Sequence, residues 1–95
     1  MDKQEEEFLK MIGLKGTVPV LRFLNEKKEG QYVELCHLVN VVTLNTRLKQ
    51  LLYFGLIQHH LEKKELRREW YTITDKGKKI LDHVREILKL VEARS

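Results

Sequence analysis

Residues 42–60 read VTLNTRLKQLLYFGLIQHH, and the periodicity of the pattern changes partway through. As far as Tyr53 the apolar residues recur at helical spacing. Leu44, Leu48, Leu51 and Leu52 are placed to face a core, while Asn45, Thr46, Lys49, Gln50 and Tyr53 occupy the opposite side. Gly55 is a helix stop, and Ile57, His59 and Leu61 then alternate with Gln58, His60 and Glu62, the period of a strand. The predicted helix thus carries a face of hydrogen-bonding groups and positive charge with no carboxylate. Such a face suits a polyanion.

Upstream, QYVELCHLVN offers Tyr32 as the end of a short strand and Leu35, Cys36, Leu38 and Val39 for a brief helix. Asn40 is placed for the left-handed conformation of a tight turn, and Thr43 for capping the helix that follows. Two short helices joined by a few residues have helix-turn-helix spacing. Further back, Thr17 is a candidate cap for a helix that tolerates Pro19 in its first turn. Val18, Val20, Leu21, Phe23 and Leu24 make that helix the predicted core element, ending near Gly30. Residues 3–14, KQEEEFLKMIGL, predict a short leading helix through Phe8, Leu9, Met11 and Ile12, stopped by Gly13 and Gly16.

Downstream, the charged segment KKELRRE separates the first strand from a second, in which Tyr71 and Ile73 share a face and Trp70 takes the other. The pair predicts a hairpin. Thr74 is then placed to cap a last helix from about residue 75 to residue 93, with Ile80, Leu81, Val84, Ile87, Leu88, Leu90 and Val91 as its apolar positions. The predicted class is mainly α with a small β-hairpin, in a single domain. Residues 1–15 form the leading helix, 16–74 the helix-turn-helix and hairpin, and 75–95 the final helix.

In this order of elements the sequence resembles the small prokaryotic and archaeal winged-helix transcription regulators of the MarR-like, ArsR-like and HxlR-like kind. YVELCHLVNVVTLNTRLKQLLYFGLI looks like the family's helix-turn-helix running into its wing, and WYTITDKGKKIL like its Y-x-L-T-x-x-G return strand. The resemblance covers residues 16–82. It departs from the pattern at Asn40, where the motif often has Gly. It implies a recognition helix over the 42–53 segment, a wing at the hairpin, no cofactor, and regulation, by expectation repression, through double-stranded DNA.

The candidate DNA contacts follow from chemistry as well as from resemblance. Base edges in the major groove present donors and acceptors that Asn, Gln, Thr, Arg and Lys can match. Asn45, Thr46, Lys49 and Gln50 are placed for this, with Arg47 at the flank and Thr43 near a phosphate or an early base. Lys63, Lys64, Arg67 and Arg68 cluster at the hairpin tip, diluted by Glu62, Glu65 and Glu69. Trp70 is expected to pack rather than stack on a base, since a duplex offers no unstacked one. The final helix, nearly 30 Å long at about 1.5 Å per residue, is expected to overhang the body. Val84, Ile87, Leu88 and Val91, with Phe8 and Ile12 from the leading helix, are the predicted homodimer interface.

Composition narrows the alternatives. A chain of 95 residues with 42% hydrophobic residues is of single-domain size, and a net charge of +4 is compatible with nucleic acid but low for a protein that coats it. The lone cysteine, Cys36, rules out an internal disulfide and suits a cytoplasmic setting; it is expected in the core. The acidic start MDKQEEEF lacks a signal-peptide core, and no apolar run is long enough for a bilayer. Cys36-His37 and His59-His60 are adjacent pairs that diverge on a helix or a strand, so no metal site is expected. His59 is expected to face inward and His60 outward. Neither a nucleophile motif nor a phosphate-binding glycine loop is present, so the sequence reads as non-enzymatic. The rival readings are a winged helix used for protein–protein contact and a sequence-tolerant chromatin protein.

Overall fold

The computed structural model describes residues 1–92; the predicted end of the last helix at Ala93 and the domain bound at residue 95 lie outside the described residues. The elements run α1 (Lys3–Ile12), α2 (Thr17–Lys27), α3 (Tyr32–Leu35), α4 (Val41–Tyr53), β1 (Ile57–Lys63), β2 (Arg67–Ile73) and α5 (Asp75–Glu92). The core gathers one or more residues from nearly every element. Met11 of α1, Val20, Leu21 and Leu24 of α2, Leu35 of α3, Leu44, Leu48 and Leu51 of α4, Leu56 and Ile57 at the foot of β1, and Leu81 of α5 are all buried. Phe8 and Ile12 are half-buried against it, with Phe8 edge-on to Phe54 at 5.2 Å. Leu52, expected inside, is 38% exposed. It lies about 100° round the helix from Leu51 and falls at the rim of the buried stripe.

Several turn and cap assignments change. Thr17 does not cap α2: it is fully buried, and its hydroxyl donates to the Met11 carbonyl at 2.7 Å, tying the α1–α2 connection to α1. The cap position is Gly16, whose φ of +90° is a left-handed conformation that suits glycine. Asn40 is extended, with φ −62° and ψ 157°, and it, not Thr43, caps α4: its side-chain oxygen accepts from the Thr43 N–H at 2.9 Å. Tyr32 opens α3 instead of closing a strand, and the helix lies earlier than Leu35–Val39 suggested. The strand-like contact belongs to Gly30, which pairs with Tyr71 through two backbone hydrogen bonds of 3.0 and 2.8 Å. A side chain at Gly30 would meet Leu24 and Phe23 at 2.9 Å, so the close approach needs glycine here.

β1 and β2 pair antiparallel from Ile57 opposite Ile73 to Lys63 opposite Arg67, so the strands extend into the segment expected to be a loop. Thr74 does cap α5, accepting from the Gly77 N–H at 3.0 Å, and also donates to the Gly55 carbonyl at 2.7 Å. This one hydroxyl joins the end of α4, the end of the hairpin and the start of α5. Along α5 burial then fades: Gly77 and Leu81 are buried and Ile80 and Val84 half-buried, whereas Ile87 is 60% and Leu90 78% exposed. The molecule measures 56 × 31 × 26 Å.

Candidate nucleic-acid interface

α4 is the centre of the candidate interface. Leu44, Leu48 and Leu51 fix its back to the core, and its first turn holds no acid. At about 100° per residue, the row opposite the leucines is Val42, Thr46, Lys49 and Tyr53. Val42 and Tyr53 are 78% and 70% exposed. The sequence pattern missed Val42 as part of this face, because an apolar residue is ordinarily assigned to the core. A branched methyl at a helix N-terminus suits apolar contact with a thymine methyl.

The remaining candidates of α4 sit on its two flanks, and most are engaged by the body of the protein. Asn45, on the flank toward the hairpin, is exposed, but its Oδ1 accepts from the Tyr32 hydroxyl at 2.6 Å. Gln50, on the flank toward α1, is half-buried. Its Oε1 accepts from the Arg47 guanidinium at 2.8 Å, and Arg47 Nε donates to the Lys15 carbonyl at 2.7 Å. Thr46 donates to the Val42 carbonyl at 3.2 Å. Thr43 is half-buried, and Lys49 is exposed with no ion pair among the described residues. Tyr32 and Lys15 stand 13 and 32 residues from their partners, separations that no local pattern displays.

The hairpin divides into a braced root and an exposed tip. Arg68 is ion-paired with Glu29 and lies over the Trp70 ring at 4.2 Å. Trp70 in turn stacks on His60, with ring centroids 5.1 Å apart and 14° between planes, so the indole packs within the hairpin face. His60 is half-buried and accepts from or donates to Thr72 at 2.8 Å, whereas His59 is exposed and paired with Glu69. By register His59 shares the Ile57–Tyr71 face and His60 the Trp70 face, as the alternation predicts, but the more covered of the two is His60 and not His59. Tyr71, beside His59, has its pKa raised above the usual 10.0 by burial, then by the negative charge of Glu69 and by neighbouring Tyr32. Lys63 faces Arg67 directly across the ladder, and Lys64 follows at the turn. Like charges opposite each other disfavour the pair, and Glu69, 3.6 Å from Arg67, offsets only part of it. Cys36 is half-buried beside the core, and among the described residues no group of three or more His, Cys, Asp or Glu side chains could hold a metal.

Solved structures supply the comparison. Over 97% of its length the chain superimposes on 87% of a protein of Enterococcus faecalis assigned to the MarR family of transcriptional regulators, with a TM-score of 0.77 and 22% identity. Diamide-treated YodB of B. subtilis matches over 97% of this chain and 93% of its own, with a TM-score of 0.75 and 17% identity. YtfH of Salmonella typhimurium, assigned as a transcriptional regulator, matches over 93% and 80%, with a TM-score of 0.75 and 19% identity. The fold is the winged helix of MarR-type regulators. No protein-family model and no curated protein matches the sequence. In winged-helix terms α3 and α4 form the helix-turn-helix, β1 and β2 the wing. Among the described residues no helix is long and apolar enough to cross a membrane.

Proposed function

We propose that the chain is a sequence-specific double-stranded DNA-binding transcription regulator of the cytoplasm, acting as a homodimer without a cofactor, and that it represses by occupying promoter DNA. The observation that carries this reading is the front of α4: a row of exposed, acid-free side chains on a helix braced from behind by three buried leucines. A rigid helix of this kind fits the major groove. Thr43, Asn45, Thr46, Lys49 and Gln50 would read or position base edges there. Lys63, Lys64 and Arg67 at the wing tip would meet phosphate, which relieves the repulsion between the facing cations. Arg68 contributes to the same field while held by Glu29, and Arg47 acts from the rim of the helix.

Dimerisation is supported by α5. Val84, Ile87 and Leu88 line an open apolar groove with Ile12, Val18 and Pro19, and Val91 continues the stripe outward. Phe8 contributes from its half-buried position on α1. A two-fold pair would set two α4 helices about one DNA turn apart, 34–36 Å in related dimers, and select a pseudo-palindromic site.

Fluorescence anisotropy with a duplex selected from a random pool, against its scrambled counterpart and across a salt series, tests the reading. With four to six phosphates engaged per protomer, log affinity falls with log salt at a slope of about −4 to −5. Equal affinity for both duplexes overturns sequence specificity in favour of a chromatin-type protein. The exposed Val42 and Tyr53 favour one other reading, a winged helix that docks a protein, and absence of binding at low salt would select it.

A further inference from the structure

We infer that Arg47 and Tyr32 are specificity-determining positioning residues, which hold the Gln50 and Asn45 amides so that α4 turns N–H donors outward and selects guanine over adenine at the two base pairs they face. The inference rests on the DNA-binding reading above and specifies the chemistry of that same face.

A guanidinium carries donors and no acceptor, so the Gln50 atom that meets it has to be the carbonyl oxygen. With Arg47 itself anchored on the Lys15 carbonyl, the orientation of Gln50 is set from inside the fold, and Nε2 is the amide atom left to point away. Reversing the amide would set donor against donor and lose a charge-assisted hydrogen bond. On the other flank the Tyr32 hydroxyl donates to Asn45 Oδ1, leaving Nδ2 outward. Tyr32 is kept in place by the Gly30–Tyr71 backbone pair two residues before it.

Recognition of adenine by Asn or Gln is bidentate: the amide oxygen accepts from N6 while the nitrogen donates to N7. Both oxygens here are turned toward the protein with one lone pair already engaged, and that arrangement is disfavoured. An outward N–H still suits the N7 and O6 acceptors of guanine. Lys49, between the two amides on the exposed side, is donor-only and adds to the same preference.

The test takes the full-length chain and the duplex selected from the random pool, then replaces each guanine·cytosine pair in turn by adenine·thymine and measures affinity by anisotropy. The wild type is expected to lose about tenfold or more at the pairs facing Gln50 and Asn45, the discrimination of a good base contact. Arg47→Met keeps the packed stem and frees the Gln50 amide, so the guanine preference at one pair should fall toward unity while the other pair keeps its own. Tyr32→Phe should do the same at the second pair alone. Gln50→Glu and Asn45→Asp keep the internal acceptor and remove the outward donor, so each should abolish the guanine preference at its pair with the melting temperature unchanged. This second set holds the question open to decision should Arg47→Met unfold the chain. Uniform weakening by Arg47→Met and Tyr32→Phe, with base preference intact, overturns the inference and leaves DNA binding standing; so does adenine preference in the wild type. Failure of the wild type to bind any duplex overturns the DNA-binding reading, and this inference with it.

Discussion

Thr17 shows how much one hydroxyl can contribute inside a small core. It is the buried polar residue of the described chain, and its bond to Met11 holds the α1–α2 connection against the body. Thr17→Val keeps the shape and removes that bond while the Met11 carbonyl still accepts from the Leu14 N–H, a cost of about 0.5–1.5 kcal/mol, measurable by urea denaturation. Gly77 is constrained by space: a Cβ there would lie 2.1 Å from the Leu56 carbonyl oxygen and 2.8 Å from Ile73. Gly77→Ala should therefore destabilise at or beyond the upper end of the ~1–3 kcal/mol typical of overpacking, read as a lowered thermal midpoint. The spacing T-x-x-G was legible in the sequence; its reason, the passage of α5 across the foot of β1, was not. Tyr71 predicts a pH effect. Its folded pKa is raised, so the unfolded chain loses the phenolic proton first, and stability present below pH 10 declines as pH rises through the folded value. Tyr71→Phe should flatten that alkaline decline in a denaturation series.

Within α4 the leucine spacing announced the helix and its buried side, and Leu44, Leu48 and Leu51 are where the pattern puts them. The cap was misplaced by three residues because Asn40 and Thr43 both carry side-chain acceptors at positions compatible with a helix start, and only backbone dihedrals separate them. Asn40→Ala should accordingly cost about 1 kcal/mol, whereas Thr43→Ala should leave the denaturation midpoint nearly unmoved; equal losses would contradict the assignment. In β1 the alternation and its sense were legible, since His59 lies on the face of Ile57 and Tyr71, but the exposure of each histidine was not. The sheet packs on the core at its foot, through Ile57, Tyr71 and Ile73, and towards the tip even the inward face of β1 opens to solvent. Stacking on Trp70 covers His60, whereas His59, paired with Glu69, stays exposed.

For the whole molecule, the order of elements was readable because each carries its own local signal: stops at Gly13 and Gly55, a change of period after Gly55, and a cap at Thr74. Contacts between distant segments leave no such trace, and they decide which polar groups of α4 are free. The candidate interface was therefore legible as a set of residues but not as a set of orientations. At this scale the apolar end of α5 is where the proposed dimer is tested. Ile87→Asp with Leu90→Asp should convert a dimer to a monomer in sedimentation velocity, with little change in the far-ultraviolet circular dichroism, and weaken binding to a two-half-site duplex far more than to a half-site. A wild-type chain that sediments as a monomer at micromolar concentration would remove the dimer from the account.

The backbone pairing of Gly30 with Tyr71 makes the hairpin a cantilever clamped at its root. From Tyr71 to the bend near Leu66 the free arm is about 16 Å, at ~3.3 Å per residue, with the Arg68–Glu29 pair as a strut whose grip added salt loosens. In the proposed DNA complex the tip would bend to follow a widening or narrowing duplex while the fixed end, and the phenol beside it, stay still. Compliance at one end of the arm and rigidity at the other would let a single short ribbon accommodate variation in shape without blurring what the neighbouring helix is proposed to read.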